Sequence, residues 1–112
     1  MPLTKDFKDT VRDRLIRSAG FRKAVLQEAL DTLLAGDVDT GKALLRDYVN
    51  GTMGFERLGA LTHIPAKSLM RMLGPKGNPQ ARNLFDVIGQ LQRAEGVRVQ
   101  VLLKSATKRR AA

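Results

Sequence analysis

An all-α fold of five to six helices, closed by one short C-terminal β-strand, follows from three features of the sequence. Apolar residues recur three and four apart through six successive segments. Breaks containing glycine, asparagine or proline separate those segments, and only residues 97–101 alternate apolar and polar with period two. The 112 residues, 43% hydrophobic and 28% charged, have the balance of one globular domain. Aromatics are 4% and tryptophan is absent, so the core is expected to be aliphatic.

The elements are expected in this order. Residues 6–19 form a helix with Phe7, Val11, Leu15 and Ile16 at helical spacing, and Gly20 is expected to cap its C-terminus. Residues 21–35 form a second helix, with Val25, Leu26, Ala29, Leu30, Leu33 and Leu34 on one broad stripe. A third starts near Asp37 or Asp39, whose carboxylates suit first-turn amides, and buries Ala43, Leu44, Leu45, Tyr48 and Val49. Short helices over 55–61 and 66–73 flank a break at 62–65. Gly74-Pro75-Lys76-Gly77-Asn78-Pro79 cannot continue a helix. Residues 81–94 form the last helix, with Leu84, Phe85, Val87, Ile88 and Leu91 inward and Gly96 stopping it. Val97, Val99 and Val101 then face one side of a short strand. With no second strand in the chain, they are expected to pair with a strand from outside, such as the same segment of a second copy. Residues 1–103 make one helical domain, and residues 104–112 a basic disordered tail that includes Lys104, Lys108, Arg109 and Arg110.

Composition excludes several classes of function. The absence of cysteine removes disulfide scaffolds, thiol nucleophiles and cysteine-ligated zinc. No apolar run spans a bilayer and no signal-peptide core follows the N-terminus, so a cytoplasmic protein without membrane association is expected. His63 is the only histidine and has no carboxylate at metal spacing. Asp6, Asp9 and Asp13 interleave with Lys5, Lys8, Arg12 and Arg17, a pattern of helix-stabilising ion pairs rather than paired catalytic carboxylates. No nucleophile, base and orienting group come together, so neither enzymatic activity, nor a metal, nor a cofactor is expected. Charge is the informative bulk property. Residues 1–53 carry 9 basic and 8 acidic side chains, whereas residues 54–112 carry 11 basic and 3 acidic, and the net charge of +9 therefore sits in the second half. That half is expected to face a polyanion.

The two short helices and their tight break, within residues 55–73, have the arrangement of a helix-turn-helix. In that motif the second helix enters the major groove of double-stranded DNA while the first braces it. Gly59 provides the small residue where the helices cross, and His63-Ile64 the unusual turn and its apolar plug. Leu58, Leu61, Leu69, Met72 and Leu73 form the inner faces. Pro65, Ala66, Lys67, Ser68, Met70 and Arg71 then point outward.

The run from Leu58 to Leu73, with Ser68-Leu69 in the second helix and Gly77-Asn78-Pro79 before the next, resembles the lambda-repressor-like helix-turn-helix regulators. It is most similar to the addiction-module antidotes (HigA-like antitoxins) and their orphan relatives. The similarity covers roughly residues 21–103 and is strongest over 55–91. Three positions depart from that pattern. His63 stands where glycine is usual, Pro65 where a serine or threonine caps the helix, and Phe55 where glutamine contacts a phosphate. Phe55 is expected to be a core residue instead. The resemblance implies a dimeric, sequence-specific transcriptional repressor, and possession of a small RelE-like toxin as partner to be sequestered. It also implies that alanine is tolerated at position 59.

Within this reading Lys67, Ser68, Met70 and Arg71 are expected at base edges, arginine being suited to bidentate bonding with guanine. Lys76, Gly77, Asn78 and Arg82 surround the start of the last helix and are expected at DNA phosphates. The loop is no nucleotide-binding P-loop, since the Gly-Lys-Ser/Thr ending is missing. A protein-interaction module with an acidic partner and a non-specific nucleoid-binding protein are the two alternatives that the charge alone leaves open.

Overall fold

Six helices follow one another in the computed structural model, which describes residues 2–106 and the side chains of residues 7–106. They are α1 (Pro2–Arg17), α2 (Ala19–Leu34), α3 (Val38–Gly51), α4 (Gly54–Thr62), α5 (Ala66–Met72) and α6 (Ala81–Glu95). Lys108, Arg109 and Arg110 of the expected basic tail lie outside the described residues. No described helix is long and apolar enough to cross a membrane.

The breaks between helices have local causes. Ser18, in extended conformation, separates α1 from α2 and accepts the Phe21 N–H at 3.0 Å through its hydroxyl. Gly20, expected as a C-terminal cap, therefore lies inside α2, because the serine cap two residues earlier had already started that helix. Asp37 caps α3 by accepting the Thr40 N–H, as expected. His63 ends α4 in the left-handed region at φ 61°, a conformation it tolerates better than most side chains. Pro65 precedes α5 with no side-chain cap bond.

One aliphatic core joins all six helices. Leu15 of α1 meets Leu26 and Ala29 of α2, Leu45, Tyr48 and Val49 of α3, Phe55 and Leu58 of α4, Leu69 and Met72 of α5, and Val87 and Leu91 of α6. Phe55 is a core residue, as the sequence led us to expect. The buried stripes are narrower than the apolar patterns. Phe7, Ile16, Leu34, Leu61 and Phe85 were expected inward and are exposed, Phe85 by 65%. Each lies beside its helix's packed line rather than on it. On α6 that line is Leu84, Val87, Ile88 and Leu91, and Phe85 projects past its edge. Ala66, expected outward, packs against the core. Among the described residues Asp9 and Asp13 form no ion pair, and Arg14 lies over the Phe21 ring, 4.5 Å from its centroid.

The expected C-terminal β-strand is absent among the described residues. Residues 97–101 run without ladder partners. The period-two pattern is nonetheless real, with Val97 and Val99 half-buried and Arg98 and Gln100 exposed. Val97 packs on the core and donates its N–H to the Gln92 carbonyl, while the Val99 N–H goes to Gln92 Oε1 at 2.8 Å. Helix α6 thus takes two of the amide donors that a strand would have offered a neighbour. Val101 is exposed.

A polar network ties the end of α6 to three other helices. Arg22 Nε lies 3.0 Å from both Glu95 carboxylate oxygens, and its Nη1 donates to the carbonyls of Leu15 and Ile16 at the end of α1. Tyr48 donates its hydroxyl to Glu95. Burial, then the bond to the Glu95 carboxylate, push the Tyr48 phenol well above its ordinary pKa. An unfolded tyrosine ionises near about pH 10. Above that pH the unfolded chain releases a proton that the folded chain retains, so the fold loses stability as the pH rises. Urea titrations should show a steeper loss above about pH 10 for the wild type than for Tyr48→Phe. Because Tyr48 is the only tyrosine, tyrosinate absorbance should appear together with unfolding.

Helices α4 and α5 cross at Gly59, as expected. A Cβ built there would lie 2.8 Å from the Ile64 carbonyl oxygen and 3.3 Å from the Ala66 nitrogen. Both are backbone atoms and cannot swing aside, which corrects the expectation that alanine is tolerated. Gly59→Ala should lower stability by about 1–3 kcal/mol, and Gly59→Leu by more, in thermal melts. A Gly59→Ala protein melting with the wild type would refute this contact.

Candidate nucleic-acid interface

The residues singled out in the second half lie on α5, on the loop after it and on the first turn of α6. Helix α5 has seven residues and turns Leu69 and Met72 into the core. At 100° per residue, this inward pair leaves Lys67, Met70 and Arg71 on the outer side. All three are exposed, Met70 by 46%, and Ser68 is half-buried between the two faces.

The loop folds back against the end of α5. Gly77 donates its N–H to the Gly74 carbonyl at 3.0 Å. A Cβ on Gly77 would overlap the carbonyl oxygens of Arg71 and Met72, so only glycine permits this approach. The result is an open depression in which Ser68 and Arg71 of α5 meet Lys76, Gly77 and Asn78 of the loop. Five of the eight residues expected at DNA are thereby brought together. Lys67, Met70 and Arg82 are exposed but do not line the depression. Gln80 and Asn83, which the sequence did not single out, complete its wall. Helix α6 starts after Gln80 with no side-chain cap, so its first-turn amides have no side-chain acceptor there.

Two cations of α3 hold this loop from behind. Lys42 is 2% exposed, and its Nζ donates to the carbonyls of Gly74 at 3.0 Å and Gly77 at 2.6 Å. Asp39 Oδ1 lies 3.8 Å away on the solvent side. Arg46 donates through Nη1 to the Leu73 carbonyl at the end of α5. Carbonyls left unpaired at a helix C-terminus favour cations, so the Arg46 contact satisfies a group that α5 cannot satisfy itself, while Lys42 binds carbonyls of the loop beyond it. The sequence analysis missed Lys42 and Arg46. The signal for Lys42 was its spacing, since 42, 45 and 49 fall on one helical stripe and Leu45 and Val49 are core residues.

The remaining residues do not build a second centre here. His63 is exposed at the turn between α4 and α5. Among the described residues, no three histidine, aspartate or glutamate side chains gather to hold a metal ion. The depression offers cations, amides and side-chain amides to a ligand, and no carboxylate lines it. Its chemistry suits an anion that accepts hydrogen bonds. No protein-family model, no curated protein and no solved structure matches the chain.

Proposed function

We propose that the chain is a sequence-specific DNA-binding regulator of the lambda-repressor-like class, with α4 and α5 as its helix-turn-helix. Helix α5 enters the major groove and presents Lys67, Ser68, Met70 and Arg71 to base edges. Lys76, Gly77, Asn78 and Arg82 hold the phosphate backbone beside it. The observation that carries this reading is the shared depression, where recognition-helix and loop residues form one carboxylate-free surface. The charge distribution supports it, since residues 54–112 carry 11 basic and only 3 acidic side chains. So does the crossing of α4 and α5 at Gly59, followed by an αL turn at His63.

In this proposal the protein represses transcription by occupying promoter DNA as a dimer. Two recognition helices about 34 Å apart then meet successive major grooves on one side of the duplex. The resemblance extends the proposal to a small RelE-like toxin as a second partner, for which an overlapping toxin reading frame beside this gene is the expected sign.

Selection from a random duplex library should recover a defined site. On that site Arg71→Ala and Lys67→Ala should each weaken binding by about 1–3 kcal/mol in gel shifts, with little change on a scrambled duplex. Equal losses on both duplexes would assign these residues to phosphates. Unchanged binding would remove α5 from the interface, and no enrichment of any sequence would overturn the proposal.

A further inference from the structure

Lys42 cannot touch DNA, yet its ammonium determines which way the loop faces. It is 2% exposed, lies 32 and 35 residues before the carbonyls it binds, and draws both of them inward. A trans peptide points its N–H opposite to its C=O, and none of the described peptides is cis. With the Gly77 carbonyl aimed at the buried ammonium, the following N–H, that of Asn78, is aimed away from the core. That N–H makes no hydrogen bond within the described residues. Asn78 itself lines the depression, beside Arg71 and Lys76.

The loop has few means of holding this arrangement alone. Pro75 and Pro79 have no N–H, and among the described residues its backbone amides make two bonds, from Gly74 to the Arg71 carbonyl and from Gly77 to the Gly74 carbonyl. A buried ammonium, in turn, is tolerated only when its donors are satisfied, which ties the two carbonyls to one position.

We propose that Lys42 is the positioning residue of the phosphate-contacting loop. Its buried ammonium turns the Gly77 carbonyl inward and so presents the Asn78 amide, beside the Lys76 ammonium, to a DNA phosphate. This inference rests on the DNA-binding reading above and adds to it a residue outside the interface on which backbone contact depends.

The test is a salt series of fluorescence anisotropy titrations on a mixed-sequence duplex of about 30 base pairs, roughly three helical turns. Far-UV circular dichroism establishes that each variant is folded. Lys42→Met should bind about 3- to 10-fold more weakly at moderate salt, and log K should fall less steeply with log salt, by about one unit of slope, as for one lost phosphate contact. Loss of folded protein alone would change the binding amplitude and leave the slope as it was. Gly77→Ala displaces the same loop while leaving Lys42 in place, and should give the same change. The double variant should then be no weaker than the weaker single. If Lys42→Met does not fold, Lys42→Gln, which keeps a shorter donor, provides the comparison.

A folded Lys42 variant with the wild-type slope overturns the inference, and so do losses that multiply in the double variant. Wild-type protein that binds no duplex overturns the DNA-binding reading itself. Wild-type binding with an unchanged variant slope overturns only the role of Lys42.

Discussion

The contact between the Lys42 ammonium and the carbonyls of Gly74 and Gly77 is the constraint on which the candidate interface depends. Removing an ammonium from water costs several kcal/mol unless strong acceptors replace the water. Here two backbone oxygens replace it, and they belong to a loop whose prolines leave it short of donors of its own. Each side satisfies the other, so α3 and the loop have one mutual arrangement. Arg46 adds a second tie at Leu73, where α5 ends. Helix α5 is seven residues long, too short to persist alone. Its direction therefore comes from Leu69 and Met72 in the core, from Gly59 beneath it and from these two cations at its end.

The same logic operates at the opposite end of α3. Arg22 reaches the carbonyls that α1 leaves unpaired and binds Glu95, which in turn accepts from Tyr48. One arginine thus ends α1, joins α2 to α6 and neutralises a carboxylate that is 7% exposed. Lys42, Arg46 and Arg22, all in the first half, serve internal carbonyls and a carboxylate. Lys67, Arg71, Lys76 and Arg82, in the second half, stay exposed. Lys8, Arg12, Arg14, Arg17 and Lys23 of the first half are exposed as well, but there acidic side chains are nearly as numerous as basic ones.

Period-two and period-3.6 patterns located the buried face of each element but not its width, and did not say what it packs against. Alternation at 97–101 matched the burial of Val97 and Val99, but the partner is α6 rather than a second strand. Pattern describes the face of an element. It does not name the donor that will meet each amide, and the Gln92 side chain, seven residues away, met that of Val99. The apolar stripes of α1, α2 and α6 were likewise drawn too wide. A helix against two neighbours buries only the line they touch, and Phe7, Leu34 and Phe85 fall outside it.

The sequence by itself determined the number and order of the helices, because periodicity, capping residues and prolines act within a few residues of where they stand. Asp37 as a cap, Phe55 in the core, Gly59 at a crossing and His63 at a left-handed turn were all legible for that reason. Lys67, Ser68, Met70 and Arg71, and separately Lys76, Gly77, Asn78 and Arg82, were singled out as two sets; that five of these eight share one depression came from the tertiary structure. Only the tertiary structure decided what lies behind them. Lys42 and Glu95 sit on apolar stripes of α3 and α6, and their burial depends on partners 35 and 73 residues away. A charged side chain on such a stripe is inward only if a distant group meets its charge, and no local pattern records whether one does.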